Sequence, residues 1–228
     1  MFDFVLSPAY GLLHALSDLT GPVSAIVLFT LAVRLMLLPS SIRAARAQRI
    51  RLRLAPQVER LRERWQRDPL RLHAEVGALY AAEGTSLFAG FLPMLAQAPF
   101  FAVTYRLFTS AVIAGHPNLL LAQGLLGVPL GEHLSAVLAA SGPFSVAAAV
   151  FLGLFVLLAV VAWAASRAAA QRVGPTAPMR RLQILLPFCT VLVAMLLPLA
   201  AGVYLLVSSA WTTAERILLH PRTTSVAV

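Results

Sequence analysis

The chain has 228 residues, of which 59% are hydrophobic and only 12% are charged, and its net charge is +9. A soluble domain carries roughly twice that charged fraction, so the composition excludes an ordinary soluble enzyme or binding domain. The single cysteine, Cys189, excludes an intrachain disulfide. We therefore predict an all-α polytopic membrane protein formed by a single domain, residues 1–228.

The N-terminal segment, residues 1–20, lacks the basic start of a signal peptide and carries Asp3 and Asp18 instead. Its apolar residues recur at helical spacing. This pattern predicts an amphipathic helix that lies in the membrane interface.

The first apolar stretch, residues 21–39, contains one charged residue, Arg34. An arginine near the centre of a membrane-spanning helix costs about 2.5–3.5 kcal/mol on insertion scales. Such a residue usually lies beside water or a polar cavity, which makes Arg34 a candidate for recognition; Thr30 lies on the same helix face, one turn away. The alternative is that Arg34 reaches back to the cytoplasmic interface without any specific role.

The next segment, residues 40–86, is predicted to be a hairpin of two amphipathic helices. Its first helix has an apolar stripe with steps of three or four residues: Ala47, Ile50, Leu54, Val58, Leu61 and Trp65. We expect Pro56 to kink or divide this helix. Asp68 should cap the second helix, with Pro69 at its first position, and Gly84 should end it.

Four further spans are predicted at residues 87–108, 143–165, 182–197 and 199–219, each long enough to cross a bilayer or close to it. Pro198 requires a tight hairpin between the last two. Residues 109–142 are predicted to form an external loop with short helical pieces; the alternative is a sixth span in this region. Residues 166–181 are predicted to form a loop between the third and fourth spans, and residues 220–228 a C-terminal tail.

The arginine distribution orients these spans. Ten arginines lie between the first two spans and four lie between the third and the fourth, whereas the loop at 109–142 has none. The positive-inside rule then places the two basic loops and the C-terminus in the cytoplasm, and the N-terminus outside. We expect the arginines of the hairpin to face anionic lipids or to dock a partner; no nucleic-acid module accompanies them, so specific nucleic-acid readout is not expected.

The second span contains Gly90, Pro93, Gln97 and Pro99 in the pattern Gly-x-x-Pro-x-x-x-Gln-x-Pro, followed by Tyr105. This pattern resembles the YidC/Oxa/Alb membrane protein insertases. Other residues fall where that family has similar ones: Arg34, Leu35, Leu37, Leu38 and Pro39 in the first span, and Pro56, Leu61, Glu75, Leu79, Tyr80 and Gly84 in the hairpin. The last span only approximates the family pattern, so the chain resembles a divergent bacterial member of the Gram-positive or actinobacterial kind.

The resemblance implies a bacterial plasma membrane protein that inserts and helps to fold nascent membrane proteins through a hydrophilic groove carrying a positive charge. No bond is made or broken, so it implies no catalytic residue, metal or cofactor, and a monomer suffices as the functional unit. The Sec translocon and the ribosome stay open as partners. The residues predicted to line the groove are Arg34, Thr30, Gln97, Thr104, Tyr105, Ser208 and Trp211.

Three other functions compete with this one. A small transporter would carry intramembrane carboxylates or repeated broken helices, and an enzyme would show a nucleophile motif, a phosphate loop or metal-ligand spacing; the sequence has none of these patterns. The remaining alternative is a partner-dependent assembly chaperone, or an accessory subunit of the Sec translocon, that does not insert proteins by itself.

Overall fold

The computed structural model describes residues 3–85, 102–113, 116–171 and 180–219. They form two compact units, one made of the described residues within 1–35 and 100–228 and the other of those within 36–99. The helices are α1 (Asp3–Thr20), α2 (Pro22–Arg64), α3 (Pro69–Ala82), α4 (residues 102–109), α5 (Leu119–Ala122), α6 (Leu134–Ser141), α7 (Val146–Ala170), α8 (Arg180–Leu185), α9 (Cys189–Leu196) and α10 (Leu199–Leu219). The prediction of a helical membrane protein is confirmed in this coarse form.

Two of the described helices, α2 and α7, are long and apolar enough to cross a membrane, judged by length and composition. Helix α10 occupies the residues predicted for the last span, and α7 continues beyond the predicted end of the third. That the chain crosses the membrane five times stays a prediction.

Helix α2 passes through Pro39 and Pro56 without interruption. Of the two effects expected of Pro56, division of the helix is therefore wrong, and a kink stays a prediction. A proline removes one backbone hydrogen bond, to the residue four positions before it. At Pro56 that residue is Leu52, and both lie on the exposed side of the helix, where the freed carbonyl is accessible to solvent.

The smaller unit contains a helical hairpin in which the second part of α2 packs against α3. Its centre is formed by Leu54, Val76 and Tyr80, which are each at most 9% exposed. Asp68 caps α3 as predicted, because its side chain accepts a 3.0 Å hydrogen bond from the backbone N–H of Arg71. The apolar stripe of α2 thus covers the apolar face of a neighbouring helix.

The region between α4 and α7 has two very short antiparallel ladders, Val112–Ile113 with His116–Pro117 and Gly124–Leu125 with Val128–Pro129. These ladders were not predicted from the sequence, and with two residues in each strand they leave the all-α class unchanged. The second ladder turns through Leu126 and Gly127, whose φ angles of +52° and +84° suit a tight hairpin turn.

This loop region is attached to the helices by side chains. The buried amide Nδ2 of Asn118 donates to the carbonyls of Leu107 and Ser110, at 2.9 and 3.0 Å. In α1, the phenolic oxygen of Tyr10 accepts a 3.0 Å hydrogen bond from the N–H of Leu119. Helix α1 therefore packs on the loop region, and its position in the membrane interface stays a prediction.

Helix α10 packs closely on α7 near its own N-terminal end. A Cβ atom placed on Gly202 would lie 2.6 Å from Cδ2 of Leu154, so the glycine is what lets the two helices approach. The fully buried ring of Phe108 lies between two other rings, with centroids 6.5 Å from Phe29 and 5.7 Å from Tyr204. This end of the larger unit is a close-packed core.

The predicted fourth span is not one regular helix. A single 3₁₀ turn, Leu186–Phe188, separates α8 from α9, because Pro187 lacks the N–H that a continuous α-helix would use. Helices α9 and α10 are then joined only by Leu197 and Pro198. The loop region holds the start of α10, since the N–H of Ala200 donates to the carbonyl of Leu130 at 2.8 Å.

Candidate functional site

A cavity of about 290 Å³ lies in the larger unit, between α2, α7, α10 and the broken helix formed by α8 and α9. Its lining residues are Arg34, Leu158, Val161, Ala162, Ala165, Ala169, Gln183, Leu186, Pro187, Thr190, Ser208, Ser209, Thr212, Thr213 and Arg216. Polar and apolar side chains are segregated, because α7 contributes only apolar residues and α10 only polar ones.

The polar wall is one face of α10. Ser208, Ser209, Thr212, Thr213 and Arg216 recur at the spacing of a helical face and all line the cavity. The hydroxyl of Thr212 donates to the carbonyl of Ser208 at 2.9 Å, and that of Thr213 donates to Ser209 at 2.8 Å. Their hydrogens are directed at their own helix, so their oxygen atoms keep acceptor capacity toward the cavity.

The apolar wall belongs to α7, where Ala162, Ala165 and Ala169 share one face. Alanine side chains end at Cβ, so this face leaves the space that larger residues would fill. Leu158 closes the cavity toward the packed core and is 1% exposed.

Positive charge dominates the cavity. Arg34 is half-buried, and its Nη2 donates a hydrogen bond to Oγ of Ser208. Arg216 also lines the cavity, on the more exposed part of α10. No carboxylate is found among the described residues that line it. The arrangement can hold an anionic group against the guanidinium and hydroxyl donors, with an apolar surface opposite.

The structure thus brings together two of the seven residues that the sequence predicted for the groove, Arg34 and Ser208. Thr30 lies on the same helix as Arg34 but is 1% exposed, and its hydroxyl donates to the carbonyl of Ile26 at 2.6 Å. Its position is therefore inside the core and away from the open part of the cavity.

The other predicted residues are spread over the larger unit. Nε1 of Trp211 donates to Oε1 of Glu215 at 2.7 Å, one turn along α10. On α4, Thr104 is buried whereas Tyr105 is 44% exposed. Gln97 lies outside the described residues. Trp211, Thr104 and Tyr105 are not among the described residues that line the cavity.

Several lining residues were not predicted from the sequence. Arg216 could have been found, because it follows Ser208 at helical spacing on the same face of α10. Gln183 and Thr190 had no such signal, since they lie on different helices separated by a 3₁₀ turn.

The smaller unit has its own charged surface. Arg53 of α2 forms an ion pair with Glu83, which follows α3. The guanidinium carbon atoms of Arg71 and Arg64 lie 4.3 and 5.5 Å from the ring centroid of Trp65. These contacts hold several arginines against the hairpin while leaving their charges at its surface.

Comparison with known proteins identifies the family. The model of the family described as "60Kd inner membrane protein" matches residues 16–225. Proteins named membrane protein insertase YidC are similar over about half of the chain: 38% identity over 106 residues in Granulibacter bethesdensis, 37% over 107 in Acidiphilium cryptum and 32% over 112 in Campylobacter jejuni. These matches cover 46%, 46% and 49% of this chain, but only 18%, 18% and 21% of the relatives.

The chain thus spans about a fifth of the length of the relatives that it matches. The family match, in contrast, covers nearly all of it, including α2 with Arg34 and α10 with Ser208. The chain belongs to the 60Kd inner membrane protein family, the family of the YidC/Oxa/Alb insertases.

Proposed function

We propose that this protein is a membrane protein insertase whose cavity receives the polar flank of a nascent membrane protein. The observation that carries the proposal is the half-buried guanidinium of Arg34, bound to Ser208 in a cavity whose described lining has no carboxylate. A positive charge that is not neutralised inside a low-dielectric site attracts an acidic group strongly.

The two walls of the cavity support this function. Moving a polar flank through hydrocarbon is costly because its groups lose their hydrogen bonds to water. The hydroxyl face of α10 offers replacement partners, and the alanine face of α7 offers an apolar path for the hydrophobic segment that follows. The apolar segment then partitions into lipid while the flank is released, so no covalent step and no cofactor is required.

The cavity is proposed to open toward the cytoplasm. Along α7, the lining residues Ala162 and Ala165 flank Trp163, whose ring centroid lies 4.9 Å from the guanidinium carbon of Arg167. Tryptophan and arginine at the end of an apolar helix are typical of the membrane interface. We place five spans in the plasma membrane of a bacterium, with the N-terminus outside and the C-terminus inside.

The opposite end of the unit is proposed to be closed. The aromatic cluster around Phe108 fills the interior there, and the loop region binds the first residues of α10 through Leu130 and Glu132. A groove that is closed on one side releases its client toward lipid and does not leak ions.

The helical hairpin is proposed to lie in the cytoplasm, with its arginines against anionic lipid headgroups. Each arginine near the membrane surface contributes about 1 kcal/mol of binding free energy. Nascent membrane proteins are the proposed clients. The Sec translocon and the ribosome are further candidates for partners, and one copy of the chain is the proposed functional unit.

The proposal is tested by reconstituting the purified protein into liposomes and measuring protease-protected insertion of a single-span client with an acidic N-terminal tail. We expect insertion with the wild type and with Arg34→Lys. Arg34→Ala should reduce insertion about tenfold or more, because a hydrogen bond between the client and a charged group contributes roughly 1.5–3 kcal/mol of binding free energy.

Arg181→Ala is the matched control, since Arg181 is exposed and does not line the cavity. Full insertion with Arg34→Ala would show that the mechanism does not need the charge of Arg34, and the proposed insertase function would stand. Insertion no higher than in empty liposomes, for every variant, would contradict the proposed function and favour a partner-dependent assembly chaperone.

A further inference from the structure

Arg34 is accompanied by a second cation in the same cavity. Arg216 lies on the face of α10 that also carries Ser208, Ser209 and Thr212, and it lines the cavity with them. Arg216 has no role among the groove residues predicted from the sequence.

The two cations lie at different depths. Arg34 is bound at the level of Ser208, and Arg216 follows Ser208 by eight positions along α10. At a rise of about 1.5 Å per residue, eight positions correspond to about 12 Å along the helix axis. Arg216 is the more exposed of the two and lies nearer the C-terminal end of the helix.

The wall between these two levels is suited to an extended peptide. Thr212 and Thr213 lie between the cations, and the hydroxyls of both donate to their own helix. They present oxygen acceptors to backbone N–H groups of a bound chain. An extended peptide advances about 3.3 Å per residue, so about four of its residues span the 12 Å between the two levels.

We propose that Arg216 is a second anion-binding position, so that the cavity prefers client flanks with two acidic residues about four positions apart. This inference rests on the proposed insertase function and adds a specificity to it. An acidic side chain first pairs with Arg216 near the open end of the cavity. When it advances to Arg34, a second acid four residues behind it takes its place.

The test uses client tails that contain two aspartates separated by one, four or eight positions, with the same length and net charge, and a tail with one aspartate. Insertion into wild-type proteoliposomes should be about threefold better for the separation of four, the size expected of one additional partly exposed ion pair. Arg216→Gln should remove this preference, so that the three tails with two aspartates are inserted equally well, and Arg216→Lys should keep it.

The thermal unfolding temperature of Arg216→Gln in detergent verifies that this variant folds, and Arg181→Gln is the control for the loss of one exposed arginine. Equal insertion of all the tails by the wild type would overturn the inference while leaving the insertase function intact. If the loss of insertion in Arg216→Gln depends on the anionic lipid content of the liposomes and not on the aspartate spacing, the inference is also overturned, and Arg216 is a site for lipid headgroups. Absence of wild-type insertion for every tail is the separate result that overturns the proposed function itself.

Discussion

The two ends of α10 differ in what surrounds them. From Leu199 to Tyr204 every residue is buried, and Gly202 is in close contact with α7. From Ser208 to Arg216 the same helix forms the polar wall of a cavity, opposite the alanines of α7. One helix pair is therefore close-packed at one end and separated by a polar space at the other.

This difference shows how one pair of helices can be stably packed and still border a cavity. Where glycine and large aromatic side chains meet, the helices pack without voids and the contact energy is high. Where alanine faces serine and threonine, the side chains are too short to fill the space between the helices. Stability is thus expected to depend on the packed end, and function on the open end.

The largest effect on stability is expected from Phe108→Ala in the packed end. Phe108 is fully buried between Phe29 and Tyr204, and such truncations cost about 3–5 kcal/mol. Thermal unfolding in detergent measures the loss. Phe144→Ala is the control, because this ring is fully exposed and its removal should leave the unfolding temperature nearly unchanged. Equal effects of the two substitutions would show that the aromatic cluster does not carry the stability.

The next largest effect is expected on function, from Ala165→Leu in the open end. The added atoms enter the cavity from the apolar wall, and we expect client insertion to fall about tenfold, or about 1.4 kcal/mol, with an unchanged unfolding temperature. The neighbouring Ala164 does not line the cavity, so Ala164→Leu is the matched control. If both variants insert the client at the wild-type rate, the cavity is not the route.

The smallest effect is expected where α7 and α10 make their closest approach. Gly202→Ala would place its Cβ 2.6 Å from Cδ2 of Leu154, which Leu154 relieves by changing its rotamer at a cost of about 1 kcal/mol. Gly153→Ala, which meets nothing within 4 Å, should instead stabilise α7 by roughly 0.5–1 kcal/mol. Adding Leu154→Ala to Gly202→Ala should give a coupling of at least about 0.5 kcal/mol; strict additivity would mean that the two residues do not compete for space.

Local patterns in the sequence were sufficient for much of the helical structure. Asp68 and Pro69 predicted the start of α3, and Pro198 predicted the break before α10. These signals act within one or two turns of the chain, where backbone hydrogen bonding decides the outcome. The same reasoning missed the break at Pro187 and allowed for one at Pro56 that does not occur, because whether a proline interrupts a helix also depends on what its neighbours offer to the freed backbone groups.

The class of protein, most of the helical segments and the choice of Arg34 as a candidate could be read from the sequence, since composition, periodicity and a charge in an apolar run are local properties. Which residues accompany Arg34 depends on the tertiary structure. Its partner Ser208 is 174 positions away in the chain, and Arg216, Gln183 and Thr190 join them in the cavity. Hydrophobic periodicity indicates that a helix has a polar face, but the rotation and contacts of packed helices decide which polar faces meet.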